Sequence, residues 1–204
     1  MEPKPPEDKL KPFRLVKYFA FSGLVVIFLA TIIFSALNTH WVKSMQRKKS
    51  EDYAHVMIEN LNHQVFLQFI VPVGLMYGKI QMSNREQFER MDNVVRSTLH
   101  SFEVDKINIY SMDNEISYSF DQYMIGRHNY GGTGYLQARS GDWNHKLVQR
   151  GNFLQIMLGF PKEVQLITFA PLRWEPQLGK ISGQILGVVE IAQDLSEDYK
   201  TIFQ

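Results

Sequence analysis

Twenty successive residues without a charge, Tyr18 to Leu37 (YFAFSGLVVIFLATIIFSAL), are apolar on every side and dominate the pattern of the chain. At about 1.5 Å per residue they make a helix of about 30 Å, the thickness of a bilayer's hydrocarbon core. A cleaved signal peptide has a shorter apolar region of about 7 to 15 residues, and small residues before the cut. A cut after Ala36 would place bulky Phe34 at the third position before it, so an uncleaved transmembrane anchor is predicted.

Beyond the anchor, positions 38–71 contain neither proline nor glycine and are predicted to continue as a long stalk helix. Ala54, Met57, Leu61, Val65 and Phe69 recur at helical spacing and make one apolar stripe. Pro72 and Gly74 are expected to break it. The stripe either packs on the domain's own sheet or pairs with a second copy, and one long helix can do both. A second helix is announced by Ser83 with Glu86 three residues on, a capping-box pattern, and is expected to run to about Phe102. Its buried face is Phe88, Met91, Val94, Val95 and Leu99.

From there the period changes to two. Ile107 and Ile109 point one way and Asn108 and Tyr110 the other, and a turn at Asp113-Asn114 leads into Ile116, Tyr118 and Phe120 on alternate positions, predicting a hairpin. A glycine-rich, aromatic region follows over 123–152, with a short helix near Tyr135 to Arg139. Gln165 to Arg173 and Gln184 to Ile191 are β-rich runs, and a last helix begins at Ser196. The predicted class is α+β: an N-terminal transmembrane helix, a long stalk helix, then an antiparallel sheet flanked by helices. The divisions are 1–17 as a cytoplasmic tail, 18–37 as the transmembrane helix, 38–82 as stalk and break, 83–195 as the folded domain, and 196–204 as the start of a helix toward a possible second membrane segment.

Composition narrows the function. Apolar residues make up 45% and charged residues 21% of the 204, which is the profile of a folding chain, and disorder is expected only at the ends. The net charge of +1, with acids and bases interspersed, offers no footprint for a nucleic-acid backbone. With no cysteine there can be no disulfide, thiolate metal site or cysteine nucleophile. Five cations precede the apolar run (Lys4, Lys9, Lys11, Arg14, Lys17) and Lys43, Arg47, Lys48 and Lys49 follow it, so charge hardly sets the orientation; the short tail is expected inside and the domain outside.

Enzyme signatures are missing: there is no GxSxG, HExxH, GxxxxGK[ST] or strand-bounded GxGxxG, and the chain is predicted not to be an enzyme. Gly131-Gly132-Thr133-Gly134 could form an anion nest, but no lysine follows as in a P-loop, and a mobile turn is the simpler reading. The six histidines show no metal-ligand spacing, and neither a metal nor a cofactor is expected. His63, between Asn62 and Gln64, lacks the acidic neighbour and following proline of a phosphoacceptor histidine. The densest recognition chemistry is Arg127, Tyr130, Tyr135, Arg139, Trp143, His145 and Arg150, which combine flat apolar area with donors suited to a small anionic or polar ligand. Packing of a long loop onto the sheet is the alternative reading of the same residues.

The anchor, the stretch ENLNHQVFLQF, the hairpin KINIYSMDNEISYS and the late run GQILGVVEIAQDLSEDY together resemble the extracytoplasmic sensor region of bacterial histidine kinases, of the PAS-like Cache or PDC type. The resemblance implies a PAS-like sheet, a site in the bacterial inner membrane with the main domain periplasmic or extracellular, and a homodimer through the long helix. It further implies that a small ligand shifts the long helix between two states; Arg139 and Arg150 as partners for an anionic group, with Tyr130, Tyr135 and Trp143 around its apolar part, make a small carboxylate the expected class. The phosphoacceptor helix and ATP-binding domain of such kinases are absent, so kinase activity would belong to a longer parent. The amino-acid motif of some Cache domains is echoed only loosely by Arg139 and Trp143. The same module could serve a chemoreceptor or a diguanylate cyclase, and a single-pass scaffold that binds another protein is the alternative from a different class.

Overall fold

A computed structural model describes residues 12–153, 161–177 and 180–201. The chain divides into two units, 1–44 and 45–204. Helix α1 runs over Pro12–Val65. In the first unit its large apolar side chains from Val16 to Val42 are exposed, Phe19 at 81% for instance. By length and composition this helix is long and apolar enough to cross a membrane.

In the second unit the stripe Ala54, Met57, Leu61, Val65 and Phe69 is buried. Met57, Leu61, Val65 and Phe69 of this stripe pack on the domain's own sheet, among Ile107, Ile109, Val189 and Ile191. Pro72 does not end the helical path. A π-turn over Phe66–Ile70 comes first, and Pro72 falls at the start of α2 (Val71–Tyr77). A proline there has a ring that fits the helical φ, and the widened turn absorbs its missing N–H. Gly78, at φ 70°, closes the helix instead.

Helix α3 spans Arg85–Leu99, shorter than the pattern suggested, and its cap is Asn84 rather than Ser83. The Asn84 side chain accepts from the N–H groups of Glu86 and Gln87 at 2.9 and 3.4 Å. Serine and asparagine are equally good caps, and Gln87, not Glu86, is then the third residue; its Oε1 accepts from the N–H of Gln81 at 2.7 Å.

Five strands follow: β1 (Val104–Tyr110), β2 (Ile116–Ser119), β3 (Asn144–Arg150), β4 (Glu163–Arg173) and β5 (Ile185–Asp194), with α4 (Gly132–Arg139) before β3 and α5 (Ser196–Thr201) at the end. They form one antiparallel sheet in the order β2-β1-β5-β4-β3. β1 and β5 pair at its centre and join the early hairpin to the late one. β3 lies inside the region expected to be loop. A register shift between Ile109 and Tyr110 sets Tyr110 opposite Ile116, so Ile116 joins Tyr110 in a second cluster while Tyr118 stays with the first.

One face of the sheet thus carries α1 and α3 and the other carries α4, whose Tyr135 and Ala138 pack with Tyr110, Phe169 and Val188. Asn62 fastens α1 to the end of β4: its Nδ2 donates to the Arg173 carbonyl at 3.1 Å and its Oδ1 accepts from the Arg173 N–H at 2.7 Å. Beside it, His63 Nδ1 and the buried Glu175 Oε2 lie 2.9 Å apart.

Candidate functional site

Alternation along β1 puts Lys106, Asn108 and Tyr110 on the face that α4 covers, and the β1–β5 register sets Glu190 directly opposite Asn108. Glu190 is the only charge within an otherwise apolar central run, Val188 to Ala192. Its carboxylate accepts from Tyr110 Oη at 2.6 Å, Asn108 Nδ2 at 2.8 Å and Lys106 Nζ at 2.9 Å. Such a carboxylate stays buried only because three donors replace its water. Burial, with the Glu190 contact next in weight, pushes the Tyr110 phenol well above its usual range. Asn108 Oδ1 is buried without a partner, so the cluster is rich in acceptors. A ligand reaching it would have to bring a donor.

Helix α4 approaches this face closely because its first turn is built of glycine. A Cβ on Gly134 would lie 2.4 Å from the Phe169 ring, and Gly132 holds φ +55°. The glycine run is therefore a helix start fitted to the sheet rather than a mobile turn. Gly134→Ala is expected to destabilise the domain by up to about 2 kcal/mol, because overpacking against the Phe169 ring, at about 1 to 3 kcal/mol, exceeds the gain of about 1 kcal/mol in helix propensity. Urea unfolding followed by circular dichroism measures the difference; a stabilised variant would show that α4 rides clear of the sheet.

The residues singled out in the sequence occupy several places. Tyr135 is buried and structural: its Oη donates to the Ser111 carbonyl and accepts from the Asn114 N–H, both at 3.0 Å, pinning the β1–β2 turn. Arg127 and Tyr130 form an exposed pair, with Nη1 donating to Oη at 3.0 Å. Arg139 is exposed on the last turn of α4. Trp143 and His145 turn to the opposite face, where Trp143 stacks on His55 at 3.6 Å and His145 Nδ1 lies 3.0 Å from Thr168 Oγ1. Burial lowers the His145 pKa. Arg150, at the far end of β3, sits 3.9 Å from Glu163. The seven are not gathered into one pocket.

The polar cluster of Lys106, Asn108, Tyr110 and Glu190 was not singled out in the sequence. Its signal was a charged residue inside a central apolar strand facing polar residues on alternate positions of its neighbour. Among the described residues no three histidine or acidic side chains converge as metal ligands.

No family model matches the sequence, and no curated protein matches it. Solved structures do. The sensor domain of the V. cholerae histidine kinase DctB superposes with a TM-score of 0.51 at 14% identity over 83% of this chain and 60% of that one. The fold is PAS-like. A domain of a sensory box/GGDEF family protein from Vibrio parahaemolyticus (TM-score 0.48, 11% identity, 79% of this chain and 59% of that one) and the E. coli DcuS sensor domain (0.41, 19%, 60% and 80%) are further neighbours. This chain spans 60% of the length of the DctB domain that it matches.

Proposed function

We propose that this chain is the signal-sensing region of a membrane-bound bacterial receptor, held by Tyr18 to Leu37 in the inner membrane with its PAS-like domain on the extracytoplasmic side. The observation that carries the reading is a PAS-like sheet whose α4-covered face holds a buried, acceptor-rich cluster, in a chain whose α1 also supplies an apolar membrane-length segment. A histidine kinase in a longer parent is the output this fold suggests, with dimerisation through the long helix. A small ligand binds at the edge of α4, a carboxylate meeting Arg139 or the Arg127–Tyr130 pair, and its donors reach Glu190 and Asn108 once α4 lifts from its close packing on the sheet. For the signal to pass, that ligand must bind one disposition of α1 more tightly than the other.

The test is a thermal-shift screen of the full chain in lipid nanodiscs against organic acids, amino acids and other small metabolites. A true ligand at a hundredfold excess over Kd adds about 2.7 kcal/mol of stability and raises the melting temperature. Arg139→Ala combined with Arg127→Ala, both at exposed positions, should remove most of that rise without unfolding the free chain. A response that survives both substitutions rejects this face as the site. No response to any compound favours the protein-binding scaffold.

A further inference from the structure

A separate cavity of about 540 Å3 lies where β5 gives way to α5, bounded also by the first turns of α1 in the domain and by the α3–β1 turn. Gln193, which lines it, is 4% exposed, and its Oε1 is buried without a hydrogen-bond partner. Part of the wall is apolar, from Tyr53, Val56 and Leu195. The charged part is one-sided: Asp52, Glu103, Asp194 and Asp198 against Lys49 alone. Gln46 Nε2 donates to Asp198 Oδ2 at 2.7 Å and ties α1 to α5 along the rim.

We propose that this cavity binds a small organic ammonium ion, whose N–H donates to Gln193 Oε1 and whose hydrocarbon part lies against Tyr53, Val56 and Leu195. An anion would meet four carboxylates. A bare metal ion would leave the apolar wall uncovered, and no three acidic or histidine side chains among the described residues converge to hold one. An ammonium carried on a hydrocarbon uses all three features: the orphaned acceptor, the excess negative charge and the apolar wall, where the Tyr53 ring can also face the cation. Because α1 and α5 both line the cavity, its occupant bridges the helix that leads into the sheet and the segment that follows it.

Isothermal titration calorimetry of the full chain in phosphatidylcholine nanodiscs, corrected for empty discs, tests this with 2-phenylethylamine and its uncharged analogue 2-phenylethanol. The amine should bind at least about tenfold more tightly than the alcohol, and Glu103→Gln combined with Asp198→Asn should erase most of that preference. Gln193→Leu should weaken the amine by about tenfold while the melting temperature holds or rises, since the substitution removes a buried unpartnered acceptor. Adding phosphatidylethanolamine to the discs separates two sources of the same chemistry: weaker apparent amine binding marks a lipid headgroup as the competitor, and unchanged binding marks a free amine. Equal affinity for alcohol and amine, unchanged affinity in Gln193→Leu, or no amine binding at millimolar concentration would overturn the proposal. Arg139→Ala, on the α4 side, should leave amine binding intact, so this result and that of the sensing screen can fail separately.

Discussion

Leu61→Asp is expected to unfold the domain in the second unit. Leu61 is fully buried, in one cluster with Met57, Val65 and the sheet residues Ile109 and Val189. The substitution forfeits about 2 to 3 kcal/mol of apolar burial and forces either a buried, unpaired carboxylate or its protonation, at several kcal/mol more. A domain of this size has only about 5 to 15 kcal/mol in hand, so a loss above about 4 kcal/mol leaves little or no folded population. Asn60→Asp, one residue away on the exposed side of the same helix, should change stability by less than about 0.5 kcal/mol. Urea unfolding of both variants in micelles, followed by the near-ultraviolet aromatic signal, measures the contrast. A Leu61→Asp domain as stable as the parent would mean that the stripe is buried only between two copies of the chain and not on its own sheet.

The helix stripe and the strand alternation were legible because each element carries a complete period of its own. Ala54 to Phe69 repeats at helical spacing, and Val188, Val189, Ile191 and Ala192 form an apolar run interrupted only by Glu190, so burial follows from local sequence. β3 was not legible because Asn144 to Arg150 (NHKLVQR) is an edge strand with few apolar residues, and its pairing with β4 is a long-range fact. The cap at Asn84 was missed by one position because Ser83 and Asn84 are chemically equivalent as caps. The recognition-rich stretch shows the same limit of local sequence. Tyrosine, tryptophan and arginine are suited to ligands, but Trp143 finds His55, Arg150 finds Glu163 and Tyr135 finds the β1–β2 turn, and no local spacing encodes those partners. The buried cluster around Glu190 is the converse case, because each of its residues looks ordinary until β1 and β5 are set in register.

Above pH 10 the folded state should lose stability steeply, because two buried tyrosines cannot ionise where they stand. Tyr110 donates to Glu190 on one face of the sheet and Tyr118 donates to Asp92 at 2.8 Å on the other. Burial is the larger cause in both cases, the hydrogen bond to a carboxylate the next, and both push the phenol far above its ordinary value of 10.0. The folded state therefore keeps its proton where the unfolded chain releases it. A group with a raised folded pKa contributes stability that is complete below the unfolded pKa and declines as pH climbs toward the folded one. Each tyrosine then removes about 1.4 kcal/mol per pH unit above 10, and the pair about 2.7 kcal/mol per unit. The measurement is the urea midpoint between pH 9 and 12, compared with Tyr118→Phe and Tyr110→Phe. Each substitution lowers stability at neutral pH by about 1 kcal/mol through its lost hydrogen bond and should shallow the alkaline slope by about 1.4 kcal/mol per pH unit. A slope that neither substitution changes would assign the alkaline loss to other groups and would mean that both phenols reach solvent in the folded chain.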